Sequence, residues 1–234
     1  MTARPLLLGW GGGKDSALAL ERLRGDARWH VVGLLTTIDA AADRVAIHGL
    51  RRSILHAQAR ALGLPVYEAA LPSRPDNARY EAALGEALAR ARDDLPGLDA
   101  IAFGDLFLAD VRAYREALLA RLGWRGEFPL WGEDSARLAR AFVARGHRAI
   151  LCCVDTTQLD AAFCGRDYDA RLLDDLPASC DPCGENGEFH TCVHAGPLFA
   201  APLALALARG AHALRDGRFA YVDLVEGSSA SGGS

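Results

Sequence analysis

"LLLGWGGGKDSALAL", residues 6–20, decides the fold. Residues 5–10 form a mostly apolar run, the pattern of a strand covered on both faces. Residues 11–13 are glycine, and residues 15–23 carry apolar side chains at helical spacing. A strand, a glycine turn and a helix start in direct succession make an anion site. Amides of the loop and of the helix N-terminus point outward, and the helix dipole favours negative charge. Within this stretch stands Lys14, the only lysine; every other basic residue of the Lys+Arg total is arginine. A compact ammonium fits inside a tight phosphate-wrapping loop, whereas a guanidinium is a broad planar fork. The plainer reading is a glycine turn with an exposed lysine at a helix start.

Outward from this stretch, apolar runs alternate with helical patterns. The spacing predicts strands over 30–37, 64–69 and 100–103, and helices over 50–62 and 76–92. Short connections between them argue for right-handed βαβ units in a doubly wound parallel sheet, a Rossmann-like α/β fold. Ligands of such sheets sit beyond the carboxyl ends of the strands, where the glycine loop and Gly104-Asp105 would both open. The pattern breaks near Pro129 and Trp131. A helix over 135–145 and a strand over 149–154 follow, and beyond Asp155 the chain reads as irregular and rich in Asp, Gly and Cys. We expect a nucleotide domain over 1–130, a smaller α+β domain over 131–225, and a disordered low-complexity tail over 226–234.

Composition excludes several classes. A net charge of −4 gives no support to nucleic-acid binding, which draws on a basic excess. No apolar run approaches the roughly 20 residues that span a bilayer. The first residues enter a strand-like run without a basic region or cleavage site, against a secretory signal. Six cysteines in 234 residues, two of them adjacent in an apolar strand (Cys152 and Cys153), are no disulfide scaffold and fit a reducing cytoplasm. The bias toward arginine, alanine and leucine points to a GC-rich, bacterial genome.

Three phosphate loops compete for residues 9–16. A Walker A loop needs a glycine at position 8, which is Leu8, and Ser or Thr after the lysine, where Asp15 stands. The dinucleotide fingerprint begins with Gly9 and Gly11 but meets Lys14 where its third glycine belongs. The third, the S-G-G-x-D-S loop of ATP pyrophosphatases, matches Gly12, Gly13, Lys14, Asp15 and Ser16, with Gly11 in place of its serine. "CGENGEFHT" (183–191) followed by "HAGPLF" resembles the second signature of the diphthine–ammonia ligase family, a PP-loop, adenine nucleotide α-hydrolase-like family. Residues 42–65, 102–123 and 128–134 resemble further blocks of that family in the same order. The resemblance implies a PP-loop nucleotide domain and a substrate domain. It also implies the chemistry: a carboxylate attacks the α-phosphate of ATP, pyrophosphate leaves, and ammonia displaces AMP to give an amide.

ATP, Mg2+, ammonium and a carboxylate substrate are thereby implied, with no nucleic-acid or membrane partner and room for a homodimer. The resemblance assigns nucleotide contacts to Gly11, Gly12, Gly13, Lys14, Asp15, Ser16, Thr37, His48, Gly104 and Asp105. It points to substrate contacts at Tyr114, Arg115, Glu116, Asn186, His190 and Thr191, while the charge of Lys14, Glu185 and Glu188 within glycine turns makes them the catalytic candidates. Each has a plainer alternative: Asp105 and Asp110 as helix caps, residues 114–116 as a charged helix surface, Glu185 and Glu188 as a polar turn. Cys180 and Cys183, with His190 and Cys192 nearby, have zinc-like spacing at one end, but we expect unligated thiols and no protein-held metal. Three rival readings remain: a paralogue acting on a small carboxylate in cofactor or corrinoid salvage, a non-catalytic ATP-binding module, and a sulfur transferase with a cysteine facing the loop.

Overall fold

The structure, a computed structural model, describes residues 2–227. Its first sheet is six-stranded: β1 (Arg4–Gly9), β2 (Trp29–Asp39), β3 (Arg44–Val45), β4 (Val66–Leu71), β5 (Ala100–Ala102) and β6 (Arg125–Glu127). Every pairing in it is parallel except that of the two-residue β3. Five helices accompany it: α1 (Lys14–Arg24), α2 (Arg52–Leu62), α3 (Asn77–Asp94), α4 (Ala109–Arg121) and α5 (Ser135–Ala144). Successive strand residues point to opposite faces. Leu6 and Leu8 of β1 therefore join a core with α1, α2 and α5, while Leu7 joins another with α3 and α4. Both faces are covered, which explains the unbroken apolar run and bears out the α/β reading with a mostly parallel sheet.

The chain order creates the crevice. From β1 it runs outward through β2 to β4, then returns to lay β5 on the other side of β1, with β6 beyond. Loops leaving β1 and β5 thus diverge at their carboxyl ends. β3 pairs with β2 at Ile38 and Asp39, past the last β1 partner, Leu35, so the following turn overhangs the glycine loop.

A second, antiparallel sheet follows: β7 (Arg148–Asp155), β8 (Phe189–Ala195), β9 (Leu205–Arg215) and β10 (Phe219–Glu226), in the order β8-β7-β10-β9, with a short helix α6 (Ala170–Asp175). The reading of everything beyond Asp155 as irregular misses three strands. β9, LALARGAHALR, is written in helix-favouring residues, and its strand form comes from antiparallel pairing with β10. β6 also escaped the sequence, because three residues carry no period. The core around α1 and α2 continues into this sheet through Leu151, Val193 and Leu224. Of the tail expected over 226–234, Glu226 closes β10 opposite Leu205, and residues 228–234 lie outside the described residues. No helix among the described residues is long and apolar enough to cross a membrane.

Candidate functional site

A cavity of about 320 Å³ opens at the carboxyl ends of β1, β2 and β5. Its wall includes Gly11, Gly13, Lys14, Asp15 and Ser16 from the loop, Thr36 and Thr37 from β2, His48 from the overhanging turn, and Gly104, Asp105 and Arg115 from the far side. The turn before β8 supplies Gly184, Glu185 and Gly187, and β8 supplies Phe189, His190 and Thr191. Two stretches about 170 residues apart in sequence thus face each other across one space.

The loop is shaped as an anion cradle. Gly12 has φ +85°, a left-handed conformation that favours glycine, and a Cβ there would sit 2.7 Å from Leu50 Cδ1. The Gly11 amide donates to Ser16 Oγ at 3.2 Å, closing the turn. The Lys14 amide donates to Thr191 Oγ1 at 3.0 Å. No hydrogen bond among the described residues engages the amides of Gly12, Gly13 and Ser16, which cluster at the positive end of an 11-residue helix. The loop is also stitched to β8. Val193 N donates to Gly12 O at 2.9 Å. Gln58, fully buried on α2, donates to Gly12 O at 2.9 Å and Val193 O at 2.7 Å and accepts from Trp10 Nε1 at 2.9 Å.

Lys14 departs from the expected arrangement. Its side chain is 2% exposed, and the ammonium is held by the Cys183 carbonyl and by both Asp15 carboxylate oxygens, at 3.0 and 2.9 Å. The faces of Tyr168 and Phe189 lie 5.8 and 5.6 Å away. Burial opposes its charge, but Asp15 and Glu185 outweigh burial and leave the pKa above the ordinary lysine value. Spacing located this residue; it could not say which way a four-carbon stem would turn.

Two glutamates of the same turn have different surroundings. Glu185 lies on the cavity wall and accepts the Leu106 amide at 2.7 Å. Burial pushes its pKa up to about 7 against the pull of that amide, and the neighbouring Asp15 and Asp105 charges push the same way. Glu188 is 2% exposed and is not part of the wall. Its Oε1 accepts from Asp181 N at 2.8 Å and Asn186 Nδ2 at 3.1 Å, while Oε2 has no partner among the described residues. The structure thus places Glu188 and Asn186 inside the turn, as its frame, and only Glu185 toward the cavity.

His48 and His190 meet over the loop with ring centroids 4.7 Å apart, and no hydrogen bond among the described residues engages either ring. Burial lowers both: His190 to about 4 and His48 well below its usual value, so both are neutral near pH 7. A Cβ at Gly11 would lie 2.3 Å from His48 Cε1; the imidazole fills the space that a serine at that position would need. Gly104 lets the β5–α4 loop pass α1, since a Cβ there would sit 2.8 Å from the Asp15 carbonyl oxygen. Asp105 accepts from Arg115 Nε at 2.8 Å, and that guanidinium lies over Phe103. Tyr114 and Glu116 are not on the wall: Tyr114 donates to Glu81 at 3.2 Å, and Glu116 accepts from Arg112 at 2.8 Å. Sequence reading missed Gln58, Thr36 and Phe189. Of these only Gln58, a lone amide amid the apolar spacing of α2, carried a signal.

All six cysteines are buried as thiols outside any disulfide, and none lines the cavity. Burial pushes the Cys180 and Cys183 thiols up to about 12, and Cys183 Sγ donates to Ser135 O at 3.3 Å, away from Cys180. Among the described residues no group of three or more His, Cys, Asp or Glu could hold a metal ion.

Residues 134–220 match the family described as Diphthamide synthase C-terminal domain. Over 115 residues, 47% of this chain, the sequence is 31% identical to a diphthine–ammonia ligase of Schizosaccharomyces pombe. The match spans 19% of that relative's length.

Proposed function

We propose that the chain is an ATP-dependent, AMP-forming ligase that amidates a carboxylate with ammonia, in the manner of a diphthine–ammonia ligase. The observation that carries this reading is the shared cavity: the unengaged loop amides of Gly13 and Ser16 and a carboxylate with a pKa near 7 line the same space. The similarity to a named ligase agrees with it. The reaction has two halves. A substrate carboxylate oxygen bonds to the α-phosphorus of ATP and the bond to the β-phosphate bridge breaks, releasing pyrophosphate. Ammonia then bonds to the acyl carbon, AMP departs with the oxygen, and one proton is left over.

The loop suits the first half. Backbone donors fixed before reaction stabilise charge that grows on leaving pyrophosphate, without reorganising. Glu185 suits the second half, since a base with a pKa near ambient pH takes up the proton released as ammonia adds. His48 and His190, both neutral, offer donors to phosphate or substrate without adding charge. Magnesium, when bound, would neutralise the polyphosphate. Both wall aspartates already face a cation, Asp15 the Lys14 ammonium and Asp105 the Arg115 guanidinium, so the ion would be held chiefly by the polyphosphate. On this reading residues 1–130 bind nucleotide and residues 131–225 present the acceptor, with Arg115, His190 and Thr191 as substrate contacts. The absence of a cysteine from the cavity wall weighs against sulfur transfer.

The test is product analysis with ATP, ammonium and a panel of carboxylates. AMP and pyrophosphate should appear only when a carboxylate is accepted. ADP as product, or ATP bound without turnover across every acceptor, would remove the ligase reading.

A further inference from the structure

We propose that Lys14 is a positioning residue that locks the 183–188 turn against the glycine loop, so that Glu185 faces the cavity, and that it is not a phosphate ligand. The role rests on the ligase reading only for its consequence in turnover; the lock itself is a statement about the fold.

Four observations carry it. The ammonium is spent inside the protein, on the Cys183 carbonyl and the two Asp15 oxygens, and its side chain is 2% exposed. Aromatic faces of Tyr168 and Phe189 enclose it. The same residue is anchored twice, because its backbone amide is also committed, to Thr191 Oγ1 at 3.0 Å. The turn it holds meets a strand only at its last residue, where the Glu188 carbonyl accepts the Asp155 amide at 2.9 Å. Gly184 and Gly187 have φ +67° and +83°; the other ties include Asp181, whose Oδ1 accepts the Cys183 and Glu185 amides at 2.8 and 3.2 Å, the Gly187 amide on Gly184 O at 3.0 Å, Asn186 on Glu188 at 3.1 Å, and the Leu106 amide on Glu185 at 2.7 Å. A glycine-rich turn bonded to a strand only at its end loses its direction when an anchor goes. The residue after Cys183 and Gly184 is Glu185, so the lysine acts two residues from the cavity carboxylate.

The lone lysine thereby has a physical reason. Three donors on a compact head satisfy one carbonyl and one carboxylate within a closed aromatic enclosure, where a planar guanidinium would need a wider one. Phosphate recognition stays with the backbone amides.

The experiment has three arms. Hydrogen exchange of the 181–190 segment should accelerate in Lys14→Met, and in Lys14→Gln as the polar control, with the rest of the chain unchanged; unaltered protection would overturn the lock whether or not any nucleotide binds. Calorimetric ATP titration of Lys14→Met should change Kd by no more than about threefold, while AMP formation falls on the order of 10²-fold at unchanged KM for ATP. Its lower pH limb should move upward, since the groups facing Glu185 are Asp15, Asp105 with its Arg115 partner, and the Lys14 charge that is removed. ATP affinity collapsing with the turn still protected would make the ammonium a phosphate ligand. Wild-type protein that binds no ATP would remove the ligase reading and leave the exchange arm to judge the lock. Should both variants fail to fold, the single lysine gives one ε-carbon signal in lysine-labelled wild-type protein. That signal should barely move on ATP addition, and a displacement as large as that of the loop amides would overturn the proposal.

Discussion

The glycine loop and the 181–191 segment form the two walls of one cavity and are built on opposite plans. The loop does its work with backbone groups: its donors are amides, its shape comes from a left-handed glycine, and the Gly12 carbonyl ties it to Val193 and Gln58. The segment across from it depends on side-chain contacts between residues far apart in sequence, the Glu185 carboxylate with the Leu106 amide and the Lys14 ammonium with the Cys183 carbonyl. A backbone site tolerates exchange of most side chains around it and fails by distortion. A side-chain site fails at single atoms. Variants on the two walls should therefore fail in different ways, and the largest effects belong to the segment.

Glu185→Gln should show the largest effect. Removing the base at unchanged shape should lower amide formation by about 10²–10⁴-fold, with ATP affinity near wild type because the phosphate donors are untouched. The wild-type pH profile carries the same statement. With its pKa raised to about 7, Glu185 is protonated below that pH and is no base there, so activity should rise through about pH 7 and level off above it. In Glu185→Gln the limb should vanish from the residual activity. A profile unchanged by the variant would move the base elsewhere. Glu188→Gln, by contrast, should act on the integrity of the turn, which thermal melting would register.

Next in size is the join between the walls. Lys14→Ala leaves the Asp15 carboxylate and the Cys183 carbonyl without their cation. Breaking a buried ion pair in this way costs about 3 kcal/mol or more, less whatever solvent recovers at partly exposed Asp15. Gln58→Leu is gentler. It keeps the volume but strips a partner from Trp10 Nε1 and Val193 O, while Gly12 O retains the Val193 amide. About 2 kcal/mol of destabilisation is expected from unsatisfied buried polar groups. Denaturant unfolding of both variants would check the order; a neutral Gln58→Leu would mean that the loop holds its shape without the stitch.

The same contrast explains what was legible. β1, the glycine turn and α1 could be read because strand period, turn residue and helix spacing are local signals, and the α/β class followed from their alternation. β8 to β10 could not, since Ala, Leu and Arg in β9 favour helix and only pairing with β10 makes a strand. In the site, spacing found Lys14 but not the direction of its ammonium. It found both glutamates of the turn, but which one faces the cavity depends on partners far along the chain, the Leu106 amide on Glu185 and the Lys14 ammonium on the Cys183 carbonyl. The meeting of His48 with His190 has no trace in either local stretch.

The smallest effects are expected at Tyr114 and Glu116, and they test where the cavity wall ends. The resemblance pointed to substrate contacts at three consecutive residues, 114–116. Consecutive positions on a helix point about 100° apart, so three in a row cannot all face one cavity. On α4 it is Arg115 that reaches the wall, paired with Asp105, while Tyr114 turns to Glu81 and Glu116 to Arg112. The Arg112–Glu116 pair is an exposed i,i+4 contact, worth about 0.3–0.5 kcal/mol. Tyr114→Phe removes one hydroxyl bond at the surface. Stability in Tyr114→Phe and Glu116→Gln should thus stay within about 0.5 kcal/mol of wild type, and AMP formation should be indistinguishable from it. Arg115→Ala should weaken acceptor binding, read as a raised KM for the carboxylate, because it also frees the Asp105 charge beside Glu185. A large loss of turnover in Tyr114→Phe with stability intact would mean that the acceptor lies across the outer face of α4, and the substrate wall would have to be redrawn beyond the cavity.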